Sequence, residues 1–197
     1  MLNTRGIEMK FNHTQESGRS MVEMLGVLAI VGVLSVGGIA GYSQAMAKFK
    51  VTKAMDQVQT IITNMRTLYA SSRTYSEVTP ATAYTVGILT DETYTGSKGI
   101  NPFGGEINFG NTTRTFSVTY TNLTPEACVK IATAEWGADE SSGLVTMTVG
   151  KTKQTKYKWA SDTTTKDAKG TLPVTVANAI ENCGSSSADG VITWEYR

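Results

Sequence analysis

The stretch "SGRSMVEMLGVLAIVGVLSVGGIAGY", Ser17 to Tyr42, decides how the rest of the chain is read. From Met24 to Tyr42 every residue is apolar, Gly or Ser. At a rise of about 1.5 Å per residue, a helix of that length just covers a hydrocarbon core. Glu23 stands at its edge, a few residues after the pair Gly18-Arg19. A carboxylate at a membrane boundary is costly unless a positive group meets it. A cut between Gly18 and Arg19 would create an α-amino group four residues before Glu23, about one helical turn away. A neighbouring copy, shifted along an axis, would then bring its amine against this carboxylate and fix the register between copies.

Two plainer readings compete. Ala45-Met46-Ala47 offers the small-x-small pattern of a signal-peptide cleavage site, but the apolar run exceeds the roughly 7–15 residues of such peptides. A simple membrane anchor leaves Glu23 without a role. Charge does not orient the segment: Arg5, Lys10 and Arg19 precede it, and Lys48, Lys50 and Lys53 follow.

The bulk numbers exclude much. The 197 residues suffice for one domain and an appendage. The net charge is +1 and the basic residues read as scattered, whereas phosphate backbones call for clustered Lys and Arg, so no nucleic acid partner is expected. The single histidine, His13, leaves the body of the chain without Ser-His-Asp or Cys-His catalysis and without most zinc sites. No phosphate-binding glycine motif appears. No catalytic residue, metal or cofactor is expected, and the chain does not read as an enzyme.

The helical pattern continues beyond Tyr42. Met55, Val58, Ile62, Met65 and Tyr69 recur at steps of three and four, and Val51, Ala54, Ile61 and Leu68 widen the stripe. Lys53, Asp56, Gln57, Thr60 and Asn64 form the polar face. One helix from about Ser20 to Ser71 is expected, its first half in lipid and its second half packed on a folded domain. Gly32, Gly37, Gly38 and Gly41 weaken it, by roughly 1 kcal/mol each against Ala, and mark where it could unwind locally in a filament. Gly37-x-x-x-Gly41 also fits close helix approach.

Residues 73–111 lack periodicity and read as an irregular connection with a turn at "NPFGG", Asn101 to Gly105. "TFSVTYT", from Thr115, alternates as a half-buried strand. In "LTPEACVKIATAEW", Thr124 as N-cap, Pro125 and Glu126 start a helix that buries Cys128, Ile131 and Ala132. "GLVTMTVG", "TKYKWA" and "GVITWEY" read as strands, and "PVTVANAIENC" as a short helix ending at Cys183. Trp136, Trp159 and Trp194 are expected in the core. Asn111-Thr112-Thr113 and Asn122-Leu123-Thr124 fit the glycosylation pattern, which arises by chance in a Thr-rich chain. The class is α+β: a long helical spine, half of it transmembrane, on an antiparallel sheet with short flanking helices.

Gly18 followed by Arg19-Ser20-Met21-Val22-Glu23 and a long apolar run resembles the processing site of type IV pilins and pseudopilins. The "NPFGG" turn and the "LTPEACVKI" helix resemble segments of the type IVb branch. The resemblance implies a leader, residues 1–18, removed by a prepilin peptidase after Gly18. It implies a methylated N-terminus at Arg19, where the family usually has an apolar residue, and an assembly carboxylate at Glu23. Residues 19–45 would be the transmembrane and filament-core helix, and 46–197 the globular head. Expected partners are other copies in a helical filament, the prepilin peptidase, the inner-membrane assembly machinery and, before assembly, the membrane. The precursor would sit in the bacterial inner membrane and the mature subunit, most simply the major one, in an extracellular pilus. A minor pilin, a type II secretion pseudopilin and a membrane-tethered binding domain that never polymerises are the alternatives.

Cys128 and Cys183 lie 55 residues apart. In a cytosolic protein they would be two buried thiols, and in an exported one a disulfide. The N-terminus favours the disulfide, and the resemblance implies that it bounds much of the filament's outer surface.

Overall fold

The computed structural model describes residues 21–71, 74–75, 78–150, 154–184 and 189–197. The chain divides into two compact units, one ending at Gln44 and the other spanning Ala45–Arg197.

Helix α1, Met21–Tyr69, runs through both. In the first unit every described residue from Met21 to Gln44 is helical and exposed. Ser35 and Ser43 donate their hydroxyls to the carbonyls of Val31 and Ala40, so neither needs an outside partner. Helix continues without a break through Gly32, Gly37, Gly38 and Gly41.

In the second unit α1 buries Val51, Ala54, Val58, Ile61, Ile62 and Met65. These are the expected stripe, with Met55 and Tyr69 partly buried at its margin. Leu68 departs from expectation: it is 48% exposed, because it falls in the last turn, where the buried stripe ends at Met65. The rest of the unit is a seven-stranded sheet in the order β1-β2-β3-β7-β4-β5-β6. The strands are β1 (Gly99–Ile100), β2 (Glu106–Asn111), β3 (Phe116–Leu123), β4 (Leu144–Val149), β5 (Thr155–Lys158), β6 (Gly170–Thr171) and β7 (Gly190–Tyr196). All pairings are antiparallel except β5 with β6. Period-two alternation sorts the faces. Phe116, Val118 and Tyr120 of β3 point inward with Ile192, Trp194 and Tyr196 of β7, while Ser117, Thr119, Thr193 and Glu195 point outward.

Helices α2 (Pro80–Thr85), α3 (Pro125–Ala132) and α4 (Val176–Cys183) flank the sheet. Their starts share one chemistry: Thr79, Thr124 and Thr175 are N-caps whose hydroxyls accept from the backbone N–H three residues on. The irregular connection expected over residues 73–111 is corrected: it holds α2, β1 and β2. The local signal was Thr79-Pro80, a cap followed by Pro in the first turn. Strand β2 carries Gly110 and two Asn, poor strand formers, and is strand because five of its residues pair with β3. The "TKYKWA" strand is shorter than expected and ends at Lys158.

The "NPFGG" turn is built around one side chain. Asn101, 3% exposed, accepts at Oδ1 from the N–H groups of Phe103 (2.9 Å) and Gly105 (3.1 Å) and donates from Nδ2 to the Thr121 carbonyl (2.8 Å). Gly105 lies so close to that strand that a Cβ would stand 1.9 Å from the Thr121 oxygen. Gly104 takes φ +77°, which an L side chain rarely adopts.

Candidate assembly surface

Among the described residues, the first half of α1 stands out as an extended apolar surface. Thirteen large apolar side chains between Met21 and Tyr42 are exposed, Val22 at 76% and Val33 at 75% among them. They surround the helix rather than striping it, the pattern of a helix made for lipid or for other helices. An 18-residue window of α1 is apolar enough to cross a membrane, and none of that window is buried within the protein. Burying one such side chain is worth about 1.5–3 kcal/mol, so covering all of them would release on the order of 20 kcal/mol.

Glu23 lies in the first turn of α1 and is exposed. Several kcal/mol are lost when a charge enters an apolar environment unpaired, so a buried Glu23 demands a cation. Gly18 and Arg19 lie outside the described residues.

Cys128 on α3 and Cys183 on α4 form a disulfide, and α4 thereby stays docked beside α3. The pairing closes a segment that includes β4, β5 and β6 and leaves no free cysteine. Trp136, Trp159 and Trp194 are buried as expected. The Trp136 N–H donates to the Ile131 carbonyl (2.8 Å) and that of Trp159 to Leu144 (2.7 Å). The two glycosylation-like sequences fare differently. Asn111 ends β2 exposed, whereas Asn122 sits in a bulge of β3 at φ 59°, its amide donating to the Phe103 carbonyl. Thr124, which completes the second pattern, is the α3 N-cap.

Among the described residues no group of three or more His, Cys, Asp or Glu is arranged to hold a metal ion. Sequence reading missed Val176 and Ile180, exposed at 58% and 57% on α4. Their i, i+4 spacing was legible, but which face of an eight-residue helix meets the sheet was not.

The family described as PilS N terminal matches residues 48–194. Two curated relatives, each a major structural subunit of bundle-forming pilus, are from Escherichia coli O127:H6 (strain E2348/69) and Escherichia coli O111:H-. Each is 28% identical over 189 residues, covering 93% of this chain and 95% of the relative. The fold is similar to the crystal structure of TcpA, a type IV pilin from Vibrio cholerae El Tor biotype. There the TM-score is 0.50 at 15% identity, over 75% of this chain and 99% of that one. A long helix, an antiparallel-dominated sheet and one disulfide therefore coincide with a family match over most of the head, and the chain belongs to the PilS N terminal family as a type IVb pilin.

Proposed function

We propose that the chain is the major structural subunit of a type IVb-like surface filament, assembled through the apolar half of α1 after a leader is removed. The observation that carries this reading is the all-round exposure of apolar side chains from Met21 to Tyr42. In the precursor that surface would lie in the inner membrane; in the filament it would pack against the same helix of other copies. Exchange of lipid for helix contacts costs little apolar burial, so passage between the two states is thermodynamically gentle.

The leader is residues 1–18, cut after Gly18 by a prepilin peptidase, and Arg19 becomes the methylated terminus. Its amine stays cationic after methylation and is the group Glu23 of an adjoining copy meets. Apolar burial supplies cohesion, while the ion pair penalises every wrong axial shift. Residues 46–197 form the head that tiles the outside. The role is mechanical rather than catalytic, and the inner-membrane assembly machinery moves the subunit into the fibre. Both curated relatives are major subunits of a bundle-forming pilus, which supports a major over a minor role and favours aggregation or adhesion as the filament's task.

Intact-mass and N-terminal analysis of protein sheared from the cell surface tests the processing. The expected chain begins at methylated Arg19 and is two hydrogens lighter for the disulfide. A surface chain that retains residues 1–18, or one that begins near Lys48 without α1's apolar half, contradicts the reading.

A further inference from the structure

The outward face of the sheet is a polar plateau that no helix covers among the described residues. The helices attend to the other side: Tyr120 reaches Gln57 on α1, and Trp136, just beyond α3, packs on Trp194. The strand registers lay out two rows across β2, β3, β7, β4 and β5. One runs Asn108, Thr119, Thr193, Thr148, Lys156; the other runs Gly110, Ser117, Glu195, Thr146, Lys158. At about 4.8 Å between strands each row is roughly 19 Å long, and the rows stand about 7 Å apart. A depression of ≈ 290 Å³ is lined by Gly110, Ser117, Glu195 and Thr146 of one row and Thr193, Thr148 and Lys156 of the other, with Lys158 beside Thr146 at its margin. Both rows end on a lysine, and neither carries an aromatic or aliphatic side chain.

The lysines belong to a larger concentration. Six of the eighteen Lys and Arg residues fall between Lys151 and Lys169, against two acids, Asp162 and Asp167. The reading of the basic residues as scattered is corrected here. Lys156, Lys158, Lys166 and Lys169 lie on β5 or on the segment that leads into β6. The Lys169 amide donates to the Lys156 carbonyl (2.9 Å), which folds that segment back along the strand. Among the described residues, Asp162 and Asp167 lie on the same segment, Glu195 lies in the second row, and Glu140 accepts from the Ser161 hydroxyl (3.3 Å). Asp167 bonds Lys156 at 2.6 Å in an exposed pair of little net worth. Asp162 is taken up by the Thr164 N–H and hydroxyl and the Thr165 N–H. Glu195 accepts from the hydroxyls of Thr115 and Thr146, both at 2.9 Å.

We propose that this face binds an acidic polysaccharide, its sugar hydroxyls on the Thr rows and its sulfate or carboxylate groups on Lys156 and Lys158. The lining selects the class. Protein docking faces concentrate aromatic side chains at their centre and are poor in Lys and Ser. Single-stranded nucleic acid needs aromatic platforms for its bases. A chain of hydroxyls and anions needs neither: it needs donors and acceptors in a flat array with cations at one side. Glu195 has lone pairs left to accept a sugar hydroxyl. The site lies wholly within the head and does not depend on assembly, so its failure would leave the pilin reading untouched. In a filament, repetition of a weak site would raise avidity without new contacts.

The test measures retention of the full chain, as filaments or in detergent, on immobilised heparin, on neutral dextran and on double-stranded DNA. The expected result is retention on heparin that falls steeply as salt rises, none on dextran, and about tenfold weaker binding to DNA. K156Q/K158Q should weaken heparin binding about tenfold, and T148V/T193V, which leaves every charge in place, about threefold. Circular dichroism establishes that each variant keeps its sheet. Absent or salt-insensitive retention of the unaltered protein overturns the proposal, as does equal binding to DNA. Unchanged binding in either folded variant also overturns it.

Discussion

At the scale of single residues, Glu23 and Asn101 stand differently. Glu23 invites a role because a charge at the end of an apolar run is an anomaly that any reading must explain, and the substitution below tests that role. Asn101 was legible as a turn residue, but not as a buried hub whose amide ties residues 103–105 to β3. That role depends on Thr121, twenty residues on, which no local pattern connects to it. Replacing Glu23 by Ala removes the carboxylate while leaving the apolar surface complete. The expected outcome is normal membrane insertion with surface filaments reduced at least tenfold by electron microscopy of sheared fractions. Filaments at ordinary abundance would leave Glu23 without its assigned part. The cysteine pair was readable only through the resemblance and the export-type N-terminus, since two cysteines 55 residues apart do not declare themselves bonded. Closing a loop of that size is worth roughly 4 kcal/mol in the chain-entropy account.

At the scale of elements, α1 changes its task along its length without changing its conformation. Its first half is apolar on all sides, and its second half carries one buried stripe and one polar face. The hydroxyls on that polar face, Thr52, Thr60 and Thr67, donate to carbonyls four residues back, which keeps the helix polar without asking for outside partners. Val58 is fully buried against the sheet domain. Val58→Asp would place a charge there without a cation and should destabilise the head by more than about 3 kcal/mol. Thermal unfolding in detergent, followed through the sheet signal, measures it; an unchanged midpoint would mean α1 is not integral to the head. Long periodic elements such as this one were readable from sequence. The short strands between Tyr69 and β3 were not: β1 and β2 exist through pairing, and pairing is not local information.

At the scale of the whole molecule, the sheet order was the least legible feature. The last strand, β7, inserts between β3 and β4, so the C-terminal "GVITWEY" lies at the centre of the sheet. Alternation revealed that it is a strand; only the closed chain reveals its neighbours. The ionisable groups set a window of stability. Lysine partners hold the carboxyls of Glu92, Glu106 and Glu126 below their usual range. Groups shifted down add stability above their unfolded value of about 4, and that stability is lost as pH falls through the lowered folded values. Burial pushes the Tyr120 phenol up, and that of Tyr196 up to about 12. Phenols shifted up add stability below about pH 10, lost as pH rises through the folded values. The melting midpoint of the detergent-solubilised chain should therefore be flat from about pH 5 to 9 and decline on both sides. A midpoint still rising above pH 10 would contradict the burial of the two tyrosines.

The central claim is that copies meet through the apolar half of α1 and that Glu23 sets their spacing. A near-atomic reconstruction of the surface filament tests it most directly. The account predicts residues 24–42 buried among neighbouring copies, with the Glu23 carboxylate within about 4 Å of an Arg19 amine, an ion-pair distance. A fibre held together by the heads alone, its α1 helices facing solvent or its Glu23 with no cation in reach, would contradict it.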